Sequence, residues 1–206
     1  MNANNNTSDD NNNKNNNIIN NINEQNMINN NQKNIDIYRN ITRPMSQITN
    51  NIYLGNIYDA QNIEKLLGMG IRKVLSLITE TELLRYPPEI EHKLINIDDF
   101  PRQNIIQYFG ECLLFMEDNK KVLVHCWAGA SRSATIIIAY IMWKNQLDFM
   151  EAIKIIEQIR PIINPNYGFV RQLEMFEKLL KKNNYNINLI NFKGIKYPRF
   201  IQECCF

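Results

Sequence analysis

The run Lys121-Val-Leu-Val-His125 sets the terms for the fold, because it is apolar through its middle and suits a strand covered on both faces. Such a strand sits inside an α/β sheet with helices on either side. It leads straight into Cys126, a loop of mostly small residues and Arg132, while Ser131 to Lys144 reads as a helix. Cys126 is therefore expected where a central strand ends and the chain wraps toward a helix N-terminus, beside backbone N–H groups that have no partner within the helix.

That order of residues suits an oxyanion. Gly129 can take backbone angles closed to other residues, and Ala128 and Ala130 are small enough to let successive amides turn inward around a tetrahedral group. Five residues separate Cys126 from Arg132, enough for one such turn. Arg132 then offers a planar fork of donors to two phosphate oxygens. A free thiol titrates near ~8.5, but beside a helix N-terminus and a guanidinium it falls to roughly 3.5–7.5. Cys126 is thus expected to rest as a thiolate and to act as a nucleophile without an adjacent general base.

The motif His125-Cys126-x-x-Gly129-x-x-Arg132-Ser133 resembles the signature of the cysteine-dependent protein tyrosine phosphatases, and the fuller run through Thr135 is similar to their dual-specificity branch. Further segments fit in the same order: Ile52-Tyr-Leu-Gly-Asn56 with Asp59-Ala60, Gly70 to Leu75, Asp99 with Gln103-Asn104-Ile105, Arg160-Pro161, and Pro165-Asn166 with Gly168-Phe169 and Gln172-Leu173. The resemblance spans residues 46 to 180 and implies a three-layer α/β fold, with a central, mostly parallel sheet flanked by helices.

It also implies roles. Cys126 would attack phosphorus to give a phosphocysteine, while Arg132 and the loop Trp127, Ala128, Gly129, Ala130 and Ser131 would bind the phosphoryl oxygens. Asp99, 27 residues upstream of the nucleophile, would protonate the leaving group, with Asp98 the competing candidate one step off the family register. Ser133 would donate to the sulfur and help it depart, and His125 and Asn166 would support the site. No metal or cofactor is implied. Trp127 suits the pocket mouth, where it could stack on an aromatic substrate, and equally suits a filler. Phosphorylated proteins are the expected partners, with phosphotyrosine, phosphoserine and phosphothreonine all accepted by a shallow pocket. The alternatives are a phosphatase of a non-protein phosphate, a phosphoinositide or an RNA end, and an inactive phosphoprotein-binding module. Trp127, Ala128 and Ala130 carry no charge of the kind that phosphoinositide and RNA-end relatives place there.

Alternating patterns give strands at 52–54, 73–77, 93–97 and 121–125, and helices at 60–67, 103–118, 131–144, 149–159 and 167–182. Asp148 with Glu151 reads as an N-cap and its partner, and Asn145 as a C-terminal turn. Cys112 reads as a small buried hydrophobe, His92 as a surface residue, and the methionines between 142 and 175 as core.

The domains expected are an Asn-rich region over 1–43, a catalytic domain over 44–182 and a tail over 183–206. Asparagine makes up about half of residues 1 to 34, too little apolar surface to offset the entropy of ordering, so disorder is expected there. A net charge of +2 gives no argument for nucleic acid. The four cysteines lack paired metal-ligand spacing, and a reactive thiol needs a reducing compartment, so a cytoplasmic location is expected, with the nucleus second. The tail mixes Lys193, Lys196 and Arg199 with aromatic residues that would suit a membrane surface, but packing or disorder is the favoured reading. Cys204 and Cys205 leave palmitoylation open, although the fourth residue from the end is Glu203 rather than the cysteine of a prenylation box.

Overall fold

The computed structural model describes residues 43–79 and 84–197, together with Gln25 and Met27, both helical. The chain divides into two units, 1–40 and 41–206, and the second carries the sheet. The disorder expected over 1–43 falls almost wholly outside the described residues, as do Cys204 and Cys205.

Five strands form one sheet in the order β1-β2-β5-β3-β4: β1 Ser46–Gln47, β2 Ile52–Gly55, β3 Ile71–Ile78, β4 Glu91–Asn96 and β5 Lys121–His125. Only the β1–β2 pair is antiparallel; β5 lies between β2 and β3 and runs parallel to both. Alternation along β5 explains its apolar run. Val122 and Val124 face one core with Leu54, Leu75 and Leu77, while Leu123 faces the other with Tyr53 and Val74.

The helices are α1 Ile57–Gln61, α2 Ile63–Gly68, α3 Phe109–Phe115, α4 Arg132–Asn145, α5 Phe149–Ile159 and α6 Tyr167–Lys182. α4 is buried along most of its length and packs on β5 and β2, with α3, α5 and α6 around it; α2 packs against β3. The central strands thus deliver their carboxyl ends to one edge of the sheet, where open α/β sheets hold ligands.

Several expectations are corrected. The helix expected over 60–67 starts three residues earlier and breaks in two. Asn56 and Asp59 form a capping box, and the Asn62 side chain accepts from Lys65 N at 3.0 Å and starts a second helix. The helix expected over 103–118 shrinks to α3 preceded by a 3₁₀ turn at Ile106–Tyr108. Gln172 of α6 causes this: its Oε1 accepts from Ile106 N at 3.0 Å and its Nε2 donates to Gln103 O at 2.9 Å, replacing helical bonds. The left-handed residue after α4 is Gln146, at φ 53°, rather than Asn145. His92 is half-buried because Ser76 pairs with it, and Met150 on α5 is exposed while Met142 is core.

The domain does not stop at 182. Asn184 and Tyr185, both at positive φ, turn the chain back, and Ile187, Ile190 and Phe192 are buried in the main core. Phe192 fills the space beside Gly110, where a Cβ would lie 2.5 Å from its ring. Trp143 Nε1 donates to Tyr185 O at 3.0 Å, and Asn104 Nδ2 to Ile195 O at 2.8 Å, so 183–197 packs on the domain, one of the two readings favoured for this stretch.

Candidate active site

Cys126 directly follows β5 and is 1% exposed, on the floor of the loop that joins β5 to α4. Its sulfur accepts a hydrogen bond from Ser133 Oγ at 3.1 Å, so the hydroxyl in the first turn of α4 points at the thiol.

The loop is held from outside by its carbonyls. Cys126 O lies 3.2 Å from His125 Nδ1, Trp127 O accepts from Ile57 N at 3.1 Å, and Ala130 O from Asn164 N at 2.8 Å. Arg160 takes two more: its Nε donates to Gly129 O at 2.9 Å and its Nη2 to Ala128 O at 3.4 Å. Ser131 O accepts from Thr135 N and Oγ1. A peptide plane sets N–H opposite C=O, so outward carbonyls turn the amides inward. Among the described residues, none of the N–H groups from Trp127 to Arg132 donates a hydrogen bond. This is the nest the small residues were expected to allow.

Arg160, known from sequence only as part of an Arg-Pro pair, is fully buried and also donates from Nη1 to Pro44 O at 2.9 Å. Burial pulls its pKa down, opposed by the charges of Asp59 and Cys126. A charged residue closing an apolar helix before a proline was the available signal. Gly129 sits at φ +68°, and a Cβ there would lie 2.3 Å from Gly55 O.

Arg132 opens α4 with its side chain half-sunk over the site. Nη1 donates to Ile97 O at 3.2 Å and Nε lies 3.6 Å from Asp99 Oδ2, too far for a hydrogen bond. Nε is buried without a hydrogen-bond partner, and Nη2 makes no hydrogen bond among the described residues. The Nε–Nη2 edge, which presents two parallel donors, therefore makes no hydrogen bond among the described residues, although the Asp99 carboxylate pairs with its charge.

Asp99 reaches the same place from the end of β4. Its Oδ1 accepts from Ser131 Oγ at 2.7 Å and from Asn166 Nδ2 at 2.9 Å. Asn166 also caps α6 through Phe169 N at 3.0 Å. The strand–helix connection carrying Asp99 rests on α6, since a Cβ on Gly168 would meet Pro101 O at 2.0 Å. Asp98, by contrast, makes no side-chain hydrogen bond or ion pair among the described residues. The structure thus brings Cys126, Asp99, Ser131, Arg132, Ser133 and Asn166 together, while the Trp127 side chain stands out into solvent.

His125 is fully buried beneath the loop, its Nε2 2.6 Å from Ser76 Oγ, which also lies 2.8 Å from His92 Nε2. Burial, the largest influence, pushes its pKa down to about 3. His125 is neutral at pH 7 and braces the loop through Cys126 O. In the unfolded chain it takes up a proton near ~6.5. Between these values the unfolded state binds a proton that the folded state refuses, so stability is complete above the unfolded pKa and falls as pH drops, by up to about 1.4 kcal/mol per pH unit. Thermal unfolding is expected to show a falling Tm from pH 7 to pH 5, and His125→Gln a slope shallower by one proton; equal slopes would contradict this.

Among the described residues no cluster of His, Cys, Asp and Glu could hold a metal ion, and no helix is long and apolar enough to cross a membrane.

The model of the dual specificity phosphatase catalytic domain matches residues 52–179. MAP kinase phosphatase with leucine-rich repeats protein 1 of Dictyostelium discoideum is 42% identical over 138 residues, 66% of this chain and 16% of that protein. Dual specificity protein phosphatase 1 of Arabidopsis thaliana is 33% identical over 140 residues, 66% of this chain and 70% of that protein. This chain therefore spans a small part of the first relative and most of the second. Among solved structures, the human tyrosine phosphatase-like serine/threonine/tyrosine-interacting protein superposes with a TM-score of 0.63 at 31% identity, over 68% of this chain and 99% of that one. The match runs from β2 through the Cys126 loop and most of α6, and on that ground the chain belongs to the dual-specificity phosphatase family.

Proposed function

We propose that this protein is a protein phosphatase that hydrolyses phosphotyrosine and phosphoserine or phosphothreonine monoesters through a phosphocysteine. One observation carries the reading: the loop over Cys126 has its carbonyls bonded outward, its amides without hydrogen-bond partners, and the Nε–Nη2 edge of Arg132 without a hydrogen bond, all among the described residues. A tetrahedral dianion satisfies all of these donors at once.

The Cys126 thiolate attacks phosphorus while the bond to the ester oxygen breaks. Asp99, as the carboxylic acid, gives that oxygen its proton. Its Oδ1 is fixed by Ser131 and Asn166 and its Oδ2 faces Arg132 Nε at 3.6 Å, which holds the carboxyl beside the loop. In the second step the Asp99 carboxylate takes a proton from water, the water oxygen bonds to phosphorus, and the P–S bond breaks. Ser133, donating to sulfur, stabilises the departing thiolate.

Phosphoproteins as substrates are supported by relatives named for dual specificity and for MAP kinase phosphatase activity. A phosphoinositide or RNA-end phosphatase is less well supported, because Trp127 to Ser131 carry no cation. The structural neighbour named as a phosphatase-like interacting protein supports a binding module as the second reading. The assembled Cys126, Arg132, Ser133 and Asp99 favour the enzyme. A thiolate nucleophile is preserved in a reducing compartment, which supports a cytoplasmic or nuclear location.

Purified protein is expected to release phosphate from matched phosphotyrosyl and phosphothreonyl peptides, with chelator present and with inhibition by vanadate. Ser133→Ala is expected to slow the second step, so that acid quenching recovers a phosphoryl adduct on Cys126 after an initial burst. No release from either peptide, or an adduct elsewhere, would refute the reading. Asp99→Asn is expected to lower kcat by about 10²-fold or more, with Asp98→Asn within a few-fold of wild type. The reverse ranking would move the acid to Asp98.

A further inference from the structure

On the face of the sheet that α1 and α2 cover, three polar side chains stand in line across three strands: His92 of β4, Ser76 of β3 and His125 of β5. Ser76 lies directly opposite His125 in the register, and both share their face with the buried Val74 and Leu123. Ser76 Oγ is 2.6 Å from His125 Nε2 and 2.8 Å from His92 Nε2. Contacts that short each need a proton between the two atoms, and a serine hydroxyl has one. One imidazole must supply the other.

Which one follows from the far side of His125. Its Nδ1 lies 3.2 Å from Cys126 O, and a carbonyl only accepts, so Nδ1 carries the hydrogen. Ser76 and His125 are fully buried, and among the described residues no carboxylate pairs with either imidazole. A second proton on His125 would leave a buried cation without a counter-charge, so its Nε2 is an acceptor. The Ser76 proton goes to His125, and His92 Nε2–H donates to Ser76. Tyr86 packs its ring edge-on against His92 with centroids 4.7 Å apart and gives its own proton to Ala60 O at 3.1 Å; Ser76 has no second proton for the phenol oxygen.

We propose that Ser76 and His92 are positioning residues of the phosphatase reaction: through a one-way hydrogen-bond chain, His92 to Ser76 to His125 to Cys126 O, they hold the peptide that aims the Trp127 amide at phosphate. The inference rests on the phosphatase reading above. Cys126 O and Trp127 N–H belong to one peptide plane, so a carbonyl held outward keeps that N–H turned inward. Without the Ser76 proton, His125 Nε2 is a buried acceptor with no partner. The ring then turns, or moves its hydrogen to Nε2, and either change releases Cys126 O. His92, half-buried at the other end, keeps the Ser76 hydroxyl from turning away. Neutral His92 with its hydrogen on Nε2 and the His92 cation both donate to Ser76, so the direction of the chain outlasts the titration of His92.

Ser76→Thr and Ser76→Val add the same bulk and differ only in the hydroxyl, so comparing them separates the hydrogen bond from packing. Three quantities are read: kcat/KM for one phosphopeptide, the pH midpoint of iodoacetate alkylation followed on the Cys126 peptide, and Tm. Ser76→Val is expected to fall about two- to tenfold below Ser76→Thr in kcat/KM, mainly through kcat, with a higher alkylation midpoint. His92→Gln, which keeps an N–H donor near the Nε2 position, is expected within about twofold of wild type, and His92→Phe below it. Nitrogen-15 NMR of wild type at pH 7 is expected to show neutral His125 with hydrogen on Nδ1 and His92 with hydrogen on Nε2. Hydrogen on His125 Nε2 would overturn the chain. Equal kcat/KM and equal alkylation midpoints for folded Ser76→Thr and Ser76→Val would overturn its part in the reaction. Should Ser76→Val not fold, equal values for His92→Gln and His92→Phe would overturn it instead. If wild type hydrolyses no phosphopeptide while the tautomers and midpoints come out as expected, the phosphatase reading fails and the chain stands.

Discussion

Cys126→Ser is expected to lower phosphopeptide turnover by at least ~10⁴-fold while leaving the peptide bound. Oxygen for sulfur is a small change of shape, so the reason lies in proton chemistry. A serine hydroxyl stays protonated at pH 7 and needs a base to act as a nucleophile. The nearest imidazole, His125, is committed: its Nδ1 lies against Cys126 O at 3.2 Å and its Nε2 against Ser76 Oγ at 2.6 Å, fully buried. Ser133 is itself a donor toward position 126. Serine there finds no group to take its proton. The amides of the loop and the Arg132 guanidinium are untouched by the change, so the phosphoryl group still has its donors. Single-turnover kinetics beside calorimetric titration with the same peptide would check both halves. Turnover within tenfold of wild type would mean the nucleophile lies elsewhere.

What the sequence made legible follows the range of the interactions. α5 lies where its Asp148–Glu151 box and apolar period place it, because both signals lie within one turn. β5 and the Cys126-to-Arg132 turn were likewise readable, since strand, glycine and arginine are consecutive. The earlier capping box, Asn56 with Asp59, is just as local, yet it opens a five-residue helix too short to show a period. Interactions that cross the chain were not legible. Gln172 shortens the helix expected over 103–118 from 66 residues away in sequence, and Arg160 holds the loop carbonyls from 31 away. Asp99 could be ranked over Asp98 only by the family's register; the structure adds Ser131 and Asn166, from 32 and 67 residues away, on Asp99.

Gly129→Ala is the second large effect expected, and it acts through backbone alone. At φ +68° an alanine pays about 1–2 kcal/mol for the left-handed conformation. Its Cβ would also lie 2.3 Å from Gly55 O and 2.8 Å from Arg160 Nη2. Gly55 ends β2 and is paired to β5 beside His125, so that carbonyl cannot retreat without loosening the central sheet. The loop must move instead, and with it the amides that face phosphate. Misplacing such donors typically costs ~10²–10³ in kcat. The expected result is a fall in kcat/KM of at least that order, with a Tm lower by several degrees. Gly68→Ala is the control, since Gly68 lies within α2 and a Cβ there meets nothing within 4 Å; an unchanged or slightly raised Tm is expected for it. If Gly129→Ala matched Gly68→Ala in both Tm and kcat/KM, the loop would tolerate a shape other than the one seen here, and the anion cup would no longer explain the chemistry assigned to it.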